Sequence, residues 1–158
     1  MATRVFIHGL ESSARGNKGA FFRERFPDMI IEDYSGGLEA RMEKLEADLE
    51  DKDDLIMVGS SYGGLMAALF ACRHPERVRR LILLAPAINL PEFAPYRRLR
   101  LPVPTFLYHG TGDDVVPPGE VRAIAAEAFA DLHYFAVDDD HSLHGTFTLM
   151  PWDDLLRP

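Results

Sequence analysis

A chain of 158 residues with 47% apolar and 10% aromatic side chains holds enough material for one buried core, so a single domain over residues 1–158 is expected. Its 25 acidic against 17 basic residues leave a formal charge of −8, and no basic block is longer than Arg97-Arg98 followed by Arg100, which argues against nucleic acid or an anionic membrane as partner. The lone Cys72 excludes an intrachain disulfide, the start carries no apolar run long enough for a signal peptide, and no window approaches an apolar membrane span, so a cytoplasmic location is expected.

Along the chain, short apolar runs alternate with amphipathic stretches. Val5-Phe6-Ile7 predicts a first strand and Met29-Ile30-Ile31 a second. Leu38, Met42, Leu45 and Leu49 recur at helical spacing with charges between them, and lead to a third strand at Leu55-Ile56-Met57-Val58. An apolar helix from Leu65 to Cys72 precedes strands at Leu81-Ile82-Leu83-Leu84 and Thr105-Phe106-Leu107-Tyr108. Val121, Ile124, Ala125 and Ala128 then repeat helically behind Pro118, a favourable first-turn residue, and His133 to Val137 predict a last strand. Continuous apolar runs read as strands covered on both faces, and their alternation with helices implies right-handed crossovers. The expected architecture is α/β, a parallel sheet of about six strands with helices on both faces. Between the fourth and fifth strands, Pro86, Pro91, Pro95, Pro102 and Pro104 forbid a long helix, so residues 86–104 should make an irregular excursion across one edge of the sheet.

The strongest chemical signal is Gly59-Ser60-Ser61-Tyr62-Gly63, set directly after a predicted strand and directly before an apolar helix. A strand-to-helix turn this tight forces its central residue into a strained backbone and needs glycines beside it, because Cβ atoms would collide. Ser61 is thereby pushed out above the sheet as a candidate nucleophile; the competing reading is a Gly/Ser turn that only caps a helix. A serine hydroxyl is a weak nucleophile and needs a base and an orienting acid. Asp113 or Asp114 lies in the loop after the fifth strand, His141 or His144 in the loop after the sixth, and both loops leave the C-terminal edge of the sheet where Ser61 sits. Spacing alone does not choose between the two aspartates or the two histidines.

The order of these segments resembles the α/β-hydrolase superfamily over nearly the whole chain. His109-Gly110-x-x-Asp113-x-x-Val116-Pro117 is similar to that family's acid loop, and Asp140-His141 to its histidine loop. The resemblance implies Asp113 as triad acid and His141 as general base, with Asp114 a solvated neighbour and His144 a first-turn residue of a last helix. Val5-Phe6-Ile7-His8-Gly9-Leu10 resembles the oxyanion loop, which implies the backbone amides of Leu10 and Tyr62 as oxyanion donors and a structural role for the His8 ring. Phe6-Ile7-His8-Gly9-Leu10-Glu11-Ser12-Ser13, together with the brevity of the chain and little or no lid, is similar to the compact bacterial YqiA-like esterases. Larger members carry strands before the one that begins here, so a minimal sheet is implied.

The resemblance implies a hydrolase of carboxylic esters or thioesters working through an acyl-serine, on a small-molecule substrate and without a cofactor. A non-catalytic binding module on the same fold is the competing class, and complete retention of serine, acid, base and oxyanion loop argues against it. Acyl transfer, C–C hydrolysis and perhydrolysis share the triad. Asp138-Asp139-Asp140 with His141 and His144 has no recognised zinc spacing, so no metal is expected, and the absence of G-x-G-x-x-G removes the dinucleotide fingerprint. Cys72, on the apolar helix, reads as core. Substrate-pocket walls are expected from Leu10, Tyr34, Tyr62, Phe93 and Tyr96.

Overall fold

Valine, isoleucine and leucine runs that are apolar at every position find a low-energy place only between two covering layers, and here they form the middle of a sheet. A computed structural model describes residues 2–158. In chain order the elements are β1 (Thr3–Ile7), α1 (Asn17–Arg25), β2 (Ile30–Ile31), α2 (Leu38–Asp48), β3 (Leu55–Ser60), α3 (Tyr62–Arg73), β4 (Val78–Leu84), β5 (Thr105–Gly110), α4 (Pro118–Ala128), β6 (Leu132–Val137) and α5 (Trp152–Leu155). All six strands are parallel in the order β2-β1-β3-β4-β5-β6.

Side chains alternate strictly between the two faces. Val5, Ile7, Leu55, Met57, Leu81, Leu83 and Leu107 point to one face, which is covered by Met42 and Leu45 of α2, by Leu65 to Cys72 of α3, and by Val121, Ile124 and Ala125 of α4. Phe6, Ile56, Val58, Ile82, Leu84 and Tyr108 point to the other, covered by Phe22 of α1 and by Leu143, Phe147, Met150, Trp152 and Leu155. The second cover is largely irregular chain, fixed where the Trp152 indole N–H donates to the Phe147 carbonyl at 2.7 Å. His144 therefore lies in an exposed turn within this segment, between Leu143 and Phe147, and not in the first turn of a helix as expected; the last helix begins eight residues later, at Trp152.

The two edge strands depart from the expectation of cover on both faces. β2 has only two residues, both half-buried, and in β6 the exposed His133 and Phe135 alternate with the half-buried Leu132 and Tyr134. Each has a single neighbouring strand. The proline-rich connection makes a short 3₁₀ turn at Pro91–Tyr96 and inserts Phe93 against α3 and Phe129.

The strand order positions the site. From β1 the chain winds outward to β2, then crosses back to place β3 on the opposite side of β1, after which β4, β5 and β6 continue in that direction. Loops leaving the C-terminal ends of β1 and β3 therefore part from each other, and open parallel sheets form their binding crevice at such a switch point.

Candidate active site

Ser61 occupies the single residue between β3 and α3, with φ 56° and ψ −116°. A non-glycine residue there costs on the order of 1–3 kcal/mol and persists only where its surroundings hold it. They do: its N–H donates to the Leu84 carbonyl at 2.9 Å, and its own carbonyl accepts from Ala87 and Gly64, each at 2.9 Å. The flanking glycines are steric requirements. A Cβ on Gly63 would lie 2.1 Å from the Ile7 carbonyl oxygen, and one on Gly59 would lie 2.3 Å from that of Gly63. The sharp turn therefore needs β1, β3 and α3 in backbone contact.

His141 Nε2 lies 3.1 Å from Ser61 Oγ, and His141 Nδ1 lies 2.7 Å from Asp113 Oδ2. The carboxylate accepts, so Nδ1 carries the proton and Nε2 is the nitrogen free to take one from the serine. The side chain of Asp113 is fully buried, while Asp114 is exposed. Burial pushes the Asp113 carboxyl up, but hydrogen bonds from His141 and from the amides of Val116 and Val115 outweigh it and hold the group below the usual carboxylate range. Three residues distant in sequence thus form one relay at the C-terminal edge of the sheet.

The loop after β1 completes the arrangement. His8 is buried; its Nε2 accepts the Tyr34 N–H at 3.0 Å, so its Nδ1 carries the proton and donates to the Gly9 carbonyl at 2.7 Å. The ring holds the loop in shape, as expected. A Cβ on Gly9 would lie 3.3 Å from Ser61 Cβ, so the backbone leading to Leu10 passes directly beside the serine. On the other side Tyr62 is the first residue of α3, where an N–H has no acceptor within the helix.

A cleft of about 650 Å³ opens over Ser61 and His141, walled by Phe6, Leu10, Phe21, Leu143 and Phe147, with Val115 at its margin. Lys18 ties two walls together: its ammonium donates to the Ser142 carbonyl at 2.7 Å and lies 5.2 Å from the Phe147 ring. Burial pulls the Lys18 pKa down, against the opposing charges of Asp140 and Asp139.

Of the expected pocket walls only Leu10 lines this cleft. Tyr34 is buried with its hydroxyl donating to Asp48 at 3.2 Å, and burial pushes its phenol well above the ordinary range. Phe93 is a core residue beneath the proline-rich turn, and Tyr96 packs against it at a ring distance of 6.2 Å. The Tyr62 side chain turns away beneath Arg41, whose guanidinium carbon lies 5.5 Å from the ring. These aromatics belong to the α2 and α3 side of the sheet, whereas the cleft lies on the α1 side. Phe21 lies on α1, whose adjacent Phe21 and Phe22 make no helical periodicity, so no linear pattern pointed to it. Cys72 is core, its thiol pushed up to about 12 by burial.

In the acidic histidine loop, Asp139 Oδ2 accepts the amides of Gly145 and Thr146 at 3.0 and 2.8 Å, and Asp140 Oδ2 lies 2.6 Å from His144 Nδ1. These carboxylates shape the loop that carries His141.

The sequence profile of the alpha/beta hydrolase fold matches residues 10–102. The chain spans a quarter or less of the length of the curated relatives it matches. One of these, a cis-3-alkyl-4-alkyloxetan-2-one decarboxylase of Shewanella oneidensis, is 36% identical over 73 residues, covering 44% of this chain and 22% of that protein. Among solved structures, mouse alpha/beta hydrolase domain-containing protein 10 superposes with a TM-score of 0.76 at 21% identity, covering 98% of this chain and 89% of that one. A monoacylglycerol lipase of Paleococcus ferrophilus superposes at 0.70 and 15% identity, covering 97% and 93%. The parallel sheet, the strained serine turn and the profile match over more than half of the sequence together place this chain in the alpha/beta hydrolase fold family.

Proposed function

We propose that this protein is a serine hydrolase that cleaves carboxylic ester or thioester bonds through an acyl-Ser61 intermediate. The observation that carries the reading is the unbroken relay from Ser61 Oγ through His141 to Asp113, at 3.1 and 2.7 Å, at the switch point of the sheet. Esterase and lipase names among the structural neighbours support a hydrolase at the level of the fold.

In the first half-reaction Ser61 Oγ attacks the substrate carbonyl as its proton passes to His141 Nε2, and the carbonyl π electrons move onto oxygen. Asp113 holds the imidazole in the correct tautomer and stabilises the imidazolium that forms. The amides of Leu10 and Tyr62 would receive the oxyanion; donors so placed are worth roughly 2.7–4 kcal/mol each. Collapse expels the alcohol or thiol, which takes the proton from His141, and leaves the acyl-serine. Water then attacks with His141 again as base, releasing the acid and restoring the Ser61 hydroxyl. The walls given by Phe6, Leu10, Phe21 and Phe147 suit a short acyl chain or a small aryl group.

Labelling by a fluorophosphonate, located by peptide mass spectrometry, tests the nucleophile. Modification should fall on Ser61, and Ser61→Ala should lower turnover of para-nitrophenyl esters by a factor on the order of 10⁶ with the fold intact. Ser60→Ala should have far less effect. Full activity in Ser61→Ala, or equal loss from both substitutions, removes this reading.

A further inference from the structure

We propose that His109, at the end of β5, is a positioning residue for the triad acid: its Nε2–H donates to Asp113 Oδ2 and fixes the carboxylate oxygen that orients His141. The inference rests on the hydrolase reading given above and concerns a group that reading does not use.

The protonation pattern follows from the partners. His109 Nε2 lies 3.0 Å from Asp113 Oδ2 and 3.1 Å from the Val116 carbonyl oxygen. A carbonyl can only accept, so Nε2 carries the proton and shares it between the two oxygens. Nδ1 is buried and has no partner among the described residues, as befits the unprotonated nitrogen. Asp113 is thereby saturated with donors: Oδ1 accepts the amides of Val115 and Val116, each at 2.8 Å, while Oδ2 accepts His141 at 2.7 Å and His109 at 3.0 Å.

The four donors differ in what they can fix. The two amides belong to the loop that carries Asp113 itself, and they hold only Oδ1. The carboxylate turns as one rigid plane, so these amides also limit its rotation, but both oxygens still move with that loop, and Oδ2 faces His141. His141 cannot hold that oxygen in place, because it sits on a partly exposed loop and is the group Asp113 must orient. His109 is fully buried and belongs to β5, which pairs with strands on both sides. Among the described residues it is thus the donor that ties Oδ2 to the sheet. The histidine loop rests on the same strand end, since a Cβ on Gly110 would lie 2.5 Å from the carbonyl oxygens of both Asp139 and Asp140.

The test compares His109→Leu, which keeps the bulk and removes the donor, with His109→Gln, whose amide N–H can reach the position of Nε2. For a hydrogen bond to a charged group, His109→Leu should lower kcat on a para-nitrophenyl ester by roughly ten- to a hundredfold, with KM nearly unchanged. The rate of fluorophosphonate labelling of Ser61 should fall in step, and His109→Gln should recover most of both. A His109→Leu variant with wild-type kcat overturns the proposal. So does a His109→Gln variant as impaired as His109→Leu, because then bulk and shape matter and the donor does not. Wild-type protein that fails to label at Ser61 removes the hydrolase reading and the positioning role with it; normal wild-type labelling beside an unimpaired His109→Leu removes the positioning role alone. Should His109→Leu not fold, ¹⁵N-histidine NMR of the wild type decides. A buried histidine with Nε2 protonated and Nδ1 unprotonated supports the bond to Asp113, and the opposite tautomer overturns it.

Discussion

Replacing Asp113 by asparagine changes almost no volume, yet it reverses the hydrogen-bonding character of one of two buried oxygens. The amide oxygen can keep the Val115 and Val116 N–H groups at the 2.8 Å positions. The amide NH₂ then faces two further donors, His141 Nδ1–H and His109 Nε2–H, where Oδ2 now accepts at 2.7 and 3.0 Å. His109 has the Val116 carbonyl to fall back on; His141 has no alternative within the relay. Its imidazole escapes the clash by moving the proton to Nε2, so that it presents a donor to Ser61 Oγ and can no longer act as base. The equivalent change in a comparable triad lowers turnover by roughly 10⁴, and the same loss is expected here. Stability should also fall, by about 2–3 kcal/mol for the loss of one to two charge-assisted bonds, or roughly 5–10 °C in Tm. That penalty depends on pH in a defined direction. The folded carboxyl is held below its ordinary value, so its contribution is complete above the unfolded pKa of about 3.9 and is lost as pH falls through the folded value. The gap between wild type and Asp113→Asn should therefore be widest at neutral pH and close below pH ~4. Asp114→Asn, at an exposed side chain, is the control and should keep most activity. Hydrolysis of one para-nitrophenyl ester by both variants, with folding checked by circular dichroism, decides the matter. An active Asp113→Asn beside an inactive Asp114→Asn would shift the acid by one residue; two active variants would place it elsewhere.

Gly63→Ala should be far more damaging than a surface Gly→Ala such as Gly119→Ala, because the new Cβ would lie 2.1 Å from the Ile7 carbonyl oxygen whereas Gly119 faces open space; thermal melts of the two variants compare them, and a Gly63→Ala as stable as Gly119→Ala would contradict the packing of α3 on β1. Phe21→Ala, at a half-buried cleft wall, should widen the space beside Ser61 and flatten the preference among acyl chain lengths while leaving kcat on an acetate ester nearly intact; an unchanged chain-length profile would place the acyl group elsewhere.

Much of this molecule was legible in its sequence. The apolar runs marked all six strands, although only the inner four are buried on both faces and need such runs throughout, and the helical spacing of Leu38, Met42 and Leu45 marked α2. The glycines around Ser61 marked a turn that no other residue permits, and the loops bearing Asp113 and His141 follow strand ends, so a parallel sheet brings them to one edge. Local rules govern these features, and a linear pattern records them. The walls of the cleft were not recorded in that way. Tyr34, Phe93 and Tyr96 are as apolar and as close to loops as Phe21 and Phe147, but the strand order puts the first three on the side of α2 and α3 and the other two on the side of α1, where the crevice opens. His144 likewise lacks a helix because the C-terminal chain is drawn across the second face of the sheet to seat Trp152. His109 illustrates the same division. Its place four residues before Asp113 was visible, but only the packed β5 end shows that its ring turns back onto the carboxylate. Periodicity decides which residues are buried, whereas the winding direction of the sheet decides which buried residues face the serine.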